Sequence, residues 1–122
     1  MNTDTDTTLR ELKERIRAFS QARDWEQFHV PKNLAMALAA EVGELMESFL
    51  WIDAEESRLL CDDPVKRAEV EEELADVLIY TLRFADVAGL DATKAIMKKM
   101  ARNEERYPVE KAKGSSAKYD EL

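Results

Sequence analysis

The sequence predicts an all-α domain, and three observations carry that expectation. Apolar residues recur at three- and four-residue intervals, the spacing of one helix face, with little of the alternation that a strand needs. Breakers are few, three glycines and three prolines in 122 residues, and apart from Gly43 they fall at the edges of the periodic segments. Hydrophobic residues make up 45% and charged residues 36%, the balance of amphipathic helices around a modest core. The length suits one domain spanning residues 1–122.

Residues 1–6 are polar and are expected to be flexible. Thr7 or Thr8 can cap a first helix, Glu11 completes a capping box from Thr8, and Leu9, Leu12, Ile16 and Phe19 form its stripe to about Arg23. The linker over residues 24–33 holds Trp25, Phe28 and the lone histidine, His29, either to plug the end of a bundle or to line a pocket. A second helix is expected over residues 32–50, closed by Trp51. Within it Gly43 lowers helix stability relative to Ala and suggests the close approach of another helix.

Residues 53–63 read as an acidic connection with room for a short helical turn. Asp63 and Pro64 are the N-cap and first position of a third helix, which runs to about Ala88 and stops at Gly89. Asp91 caps a fourth helix to about Glu105, apolar at Ile96, Met97 and Met100. It carries Lys94, Lys98, Lys99 and Arg102, with Arg106 just beyond, a basic concentration that is either a solvated face or a phosphate clamp. From Tyr107 onward the chain reads as irregular, with residues from about 110 to 122 either flexible or folded over a site.

Two pairs of carboxylates stand out, Glu41 with Glu44 and Glu73 with Asp76. Residues three apart share one helix face. On a wheel of about 100° per residue, Leu34, Leu38, Leu45 and Phe49 lie within roughly 80° of Glu41. Val70, Val77, Tyr80 and Phe84 lie within roughly 60° of Glu73 on the same construction. The carboxylates therefore adjoin the apolar stripes. Carboxylates near a core are costly unless something positive meets them, and four converging would repel one another. A hard divalent cation with oxygen ligands, such as Mg²⁺, is the simplest remedy, so a metal site between two helices is expected. The competing reading is a solvated acidic face on a non-catalytic helical interaction module.

The net charge of −8, from 18 basic and 26 acidic residues, repels nucleic acid and anionic membranes, so neither polymer binding nor membrane association is expected. Cys61 stands alone, and no apolar run approaches a membrane span, which together predict a soluble cytoplasmic protein.

Glu41-xx-Glu44, Glu73-xx-Asp76, the basic fourth helix and Arg106-Tyr107-Pro108 together resemble the MazG-like all-α nucleoside triphosphate pyrophosphohydrolases. The segments 24–29, 31–34, 41–45, 72–80 and 113–115, with Trp51, Asn103 and Lys118-Tyr119, resemble the dCTP pyrophosphatase branch, over roughly residues 8–120. The resemblance implies a four-helix MazG-like bundle assembled as a homodimer or homotetramer (a dimer of dimers), with sites where adjacent subunits meet. It implies Mg²⁺-dependent hydrolysis of a nucleoside triphosphate, foremost dCTP or a modified dCTP, to monophosphate and pyrophosphate, with Mn²⁺ able to substitute. Broader or different base selectivity is the alternative within the family. Glu41, Glu44, Glu73 and Asp76 would be the metal ligands and catalytic residues. Lys99, Asn103, Arg106, Tyr107 and Lys113 would contact phosphates or sugar, and Trp25, Phe28, His29, Asn33, Trp51 and Tyr80 would shape the base and sugar pocket. Ile16 stands near where that branch can carry a histidine, a departure that bears on base preference.

Overall fold

A computed structural model describes residues 2–122, and these divide into two compact units, one running to Leu90 and the other Asp91–Leu122. The first unit contains α1 (Leu9–Ala22), α2 (Pro31–Glu47), the short α3 (Ala54–Leu59) with a 3₁₀ turn (Leu60–Asp62), and α4 (Pro64–Val87). The second contains α5 (Ala92–Arg106), the one-turn α6 (Val109–Ala112) and a 3₁₀ turn (Tyr119–Glu121). No strand forms among the described residues, as the periodicity predicts.

Local chemistry sets the helix ends. Thr8 Oγ1 accepts from the Glu11 amide at 3.2 Å while Glu11 Oε2 accepts from the Thr8 amide at 3.0 Å, the reciprocal capping box. Asp63 accepts from the Val65 amide at 3.0 Å ahead of Pro64, and Asp91 accepts from the Lys94 amide at 2.8 Å. At the far end of α4, Gly89 takes φ +69°, and the Leu90 amide reaches back to the Ala85 carbonyl at 2.8 Å. That pairing needs a left-handed residue, which glycine adopts without steric cost. Lys13 Nζ then donates to the Leu90 carbonyl at 2.7 Å, tying α1 to the end of α4.

α4 is the central element, packing against both α2 and α1. Contacts of His29 with Arg83 at one end and of Glu44 with Glu73 further along fix α2 and α4 as antiparallel. The stripe residues Leu38, Leu45, Val70, Val77, Tyr80 and Phe84 are half-buried, and Leu34 is fully buried. On its α1 side, Arg17 grips Asp86 bidentately, with Nε–Oδ2 at 2.8 Å and Nη2–Oδ1 at 2.6 Å. The Arg17 hydrogen bond holds the Asp86 carboxyl below the usual carboxylate range. Leu82 and Ala85, off the predicted stripe, are buried because α4 has a helix on two sides.

Three expectations change. The second helix ends at Glu47 rather than Leu50, and Trp51 sits in the turn beyond it. Among the described residues no neighbouring element lies within 4 Å of where a Cβ on Gly43 would be, so the close approach expected there is not made by them. The segment after Tyr107, expected to be irregular, contains α6 and a 3₁₀ turn. There Tyr119 meets the Tyr107 ring edge-on at 6.1 Å and lies 4.4 Å beneath the Arg106 guanidinium. No helix among the described residues is long and apolar enough to cross a membrane.

Candidate metal centre

The antiparallel pairing of α2 and α4 brings the two carboxylate pairs together. Glu41, Glu73 and Asp76 each offer an oxygen, and these oxygens all lie within 4.8 Å of one another. Glu44 completes the group, its carboxyl within hydrogen-bond reach of both Glu41 and Glu73. Glu41 and Glu73 are half-buried while Glu44 and Asp76 are exposed, so the cluster opens to solvent on one side.

Electrostatics make this arrangement costly as it stands. Burial raises the Glu41 carboxyl first, and Glu44, Asp76 and Glu73 push it further; Glu73 is raised by burial and by Glu44, Asp76 and Glu47. No Lys or Arg of residues 2–90 forms an ion pair with any of the four. Glu41 Oε2 and Glu73 Oε2 are sealed from solvent with no hydrogen-bond partner. Two orphaned, inward-facing carboxylate oxygens need a positive partner, and an all-oxygen donor set suits a hard divalent cation. The residues present fit such an ion.

Glu47, one turn beyond Glu44, adds negative charge near Glu73 and was not among the expected site residues. Its signal in the sequence is the continued three-residue spacing of Glu41, Glu44 and Glu47.

The aromatic linker lies at the end of the α2–α4 pair where His29 meets Arg83. Trp25 packs edge-on against Phe19 at 5.6 Å and against His29 at 6.3 Å, and the Arg23 guanidinium covers Phe19 at 3.6 Å. Asp24 turns the chain here with φ +53°, a conformation Asp tolerates better than most residues. His29 Nδ1 lies 2.9 Å from Arg83 Nε. Asn33 spends one amide proton on the Phe28 carbonyl at 3.1 Å, so it holds the linker turn. Phe28 and Trp51 are exposed, Trp51 at 90%, while Tyr80 sits half-buried one turn beyond Asp76 on α4. Lys99, Asn103, Arg106, Tyr107 and Lys113 all fall in the second unit; Asn103, Arg106 and Tyr107 are half-buried there and Lys99 and Lys113 exposed.

Residues 36–122 match the model of the MazG-like family. The chain is 44% identical over 115 residues to dCTP pyrophosphatase 1 of Rattus norvegicus, spanning 94% of this chain and 68% of the relative. Against dCTP pyrophosphatase 1 of Bos taurus it is 42% identical over 118 residues, spanning 97% and 70%. The crystal structure of a pyrophosphatase from Archaeoglobus fulgidus is similar with a TM-score of 0.78 at 38% identity, covering 88% of this chain and 99% of that one.

The raised carboxyls make a pH prediction. In the folded chain Glu41 and Glu73 hold protons more tightly than when unfolded, so their stabilising contribution is present at low pH and is lost as pH rises through their elevated range. Glu41→Gln mimics the protonated form. With chelator present, its melting temperature relative to wild type should climb as pH goes from about 5 to about 8, and adding Mg²⁺ at the upper pH should favour wild type. A difference independent of both pH and Mg²⁺ contradicts the reading of the cluster.

Proposed function

The chain belongs to the MazG-like family, and from that premise we propose that it hydrolyses a nucleoside triphosphate, foremost dCTP or a modified dCTP, to the monophosphate and pyrophosphate. This is nucleotide-pool house-cleaning. The observation that carries it is the convergence of Glu41, Glu44, Glu73 and Asp76 with two orphaned buried oxygens. It occurs in a chain alignable over most of its length with dCTP pyrophosphatases.

Glu41, Glu44, Glu73 and Asp76 would hold Mg²⁺, with Mn²⁺ able to substitute. Such an ion would supply charge to offset the triphosphate and would make a bound water more acidic. Glu44, within reach of both Glu41 and Glu73, accepts the proton of the attacking water. Trp25 offers an aromatic face for the base, and Phe28, His29, Asn33, Trp51 and Tyr80 shape the pocket around base and sugar. Lys99, Asn103, Arg106, Tyr107 and Lys113 contact phosphates or sugar, an assignment that rests on the family resemblance. Tyr119, beneath the Arg106 guanidinium and edge-on to Tyr107, supports a fixed orientation for those two.

The working form is a homodimer or homotetramer. Met36 and Met46 on α2 and Leu74 and Leu78 on α4 lie about 80° or more round their helices from the carboxylates and stay largely exposed. Gly43 shares that outer face of α2 with open space above it, which leaves room for a partner helix.

Pyrophosphate release from a panel of dNTPs, NTPs and 5-modified dCTPs, with Mg²⁺ and with chelator, tests the reaction. Turnover should require the cation and be led by dCTP or an analogue, and Glu41→Gln and Glu73→Gln should each lose at least about a hundredfold in kcat/KM. Full activity in either variant contradicts the site assignment, and activity spread evenly across bases contradicts the dCTP preference. Light scattering on the same protein should give a dimer or tetramer; a fully active monomer contradicts the assembly.

A further inference from the structure

Arg83 has no role in the site so far, yet it is the one charged side chain buried among the described residues, at 4% exposure. A buried guanidinium is tolerated only when its donors are met. Those of Arg83 meet Asp86 Oδ2 at 3.4 Å, Glu26 Oε1 at 3.7 Å and His29 Nδ1 at 2.9 Å. Asp86 is in turn held by Arg17, so the group bridges α1, α4 and the aromatic linker.

The His29 contact determines a proton position. A guanidinium has donors and no acceptor, so Nδ1 must face it with a lone pair. The neutral ring's single proton then sits on Nε2. Protonating Nδ1 would set a second N–H and a second positive charge against Arg83. Burial and Arg83 both hold His29 below its usual pKa, against the weaker upward pull of Glu26. Nε2 has no hydrogen-bond partner among the described residues and, unlike Glu41 Oε2 and Glu73 Oε2, is not sealed from solvent. The imidazole therefore ends the Phe19–Trp25–His29 row of rings with an available N–H donor. Arg83 lies seven residues past Asp76 on α4, about 10 Å along the helix, a spacing on the scale of one nucleotide.

We propose that Arg83 is a positioning residue that locks His29 as an Nε2–H donor, and that this donor reads the O2/N3 acceptor edge of a cytosine-type base. The proposal rests on the pyrophosphohydrolase reading above and assigns part of its base selectivity. Cytosine presents acceptors at both O2 and N3, whereas uracil and thymine carry N3–H, which would meet the His29 donor head-on. Without Arg83 the imidazole can shift its proton to Nδ1, and Nε2 then accepts from N3–H. The tautomer thus acts as a selectivity switch, through an unpaired polar group in the wrong complex.

The chain has one histidine, so nitrogen NMR of the imidazole is unambiguous. Wild type should show neutral His29 protonated at Nε2 at about pH 7, Arg83→Met a mixture of tautomers, and Arg83→Gln, whose amide can donate to Nδ1, the Nε2–H form again. In parallel, the ratio of kcat/KM for dCTP to that for dUTP should fall about tenfold in Arg83→Met, mainly through KM, and recover in Arg83→Gln. If Arg83→Met does not fold, His29→Ala removes the donor, leaves Arg83 its Asp86 and Glu26 partners, and should lower the same ratio. A wild-type imidazole protonated at Nδ1 overturns the proposal alone, as does an unchanged ratio in the folded variants. Absence of all nucleotide turnover in wild type overturns the pyrophosphohydrolase reading and the base-reading role with it.

Discussion

Mutual repulsion among carboxylates is the constraint on which this chain's architecture turns. Glu41 and Glu73 sit on the faces that α2 and α4 turn toward each other, where apolar residues would pack at no electrostatic cost. Their orphaned oxygens and the absence of a Lys or Arg partner within residues 2–90 mean that folding assembles a site in deficit of positive charge. A cation restores the balance, so metal affinity and the strain of the metal-free fold are two faces of one arrangement.

The scaffold that bears this repulsion is α4. Its 24 residues carry the second carboxylate pair near the middle and an ionic network at the end. α2 packs on one side and α1 on another, and the Arg17–Asp86–Arg83 group ties α1 and the aromatic linker to it. The linker's position relative to the carboxylates is therefore set by a rigid helix and a buried charge rather than by loop contacts. Such a division, ion chemistry in the middle of the helix pair and aromatic surface at its end, suits a ligand with a charged half and a flat apolar half.

Much of this was legible in the sequence because the signals are local. Thr8 with Glu11, Asp63 with Pro64, and Gly89 fix helix ends through bonds spanning a few residues, and each forms as expected. The four carboxylates were legible because helical spacing placed them beside apolar stripes. Arg83 was not: a charged residue reads as solvated, and its burial depends on His29, 54 positions away, and on an Asp86 held by Arg17, 69 positions away. Leu82 and Ala85 escaped the stripe because a wheel assumes one buried face and α4 has two. The order after Tyr107 depends on Tyr119 packing over Arg106, a pairing that no periodicity encodes. Gly43 suggests a close contact by its residue type, yet among the described residues no neighbouring element comes within 4 Å of where its Cβ would be.

The most direct test of the central claim is anomalous diffraction from crystals soaked in Mn²⁺, which locates the ion without reference to activity. The account predicts a peak bounded by Glu41, Glu44, Glu73 and Asp76, lost in Glu73→Gln. Ordered carboxylates with no peak, or a peak held by other residues, would contradict it.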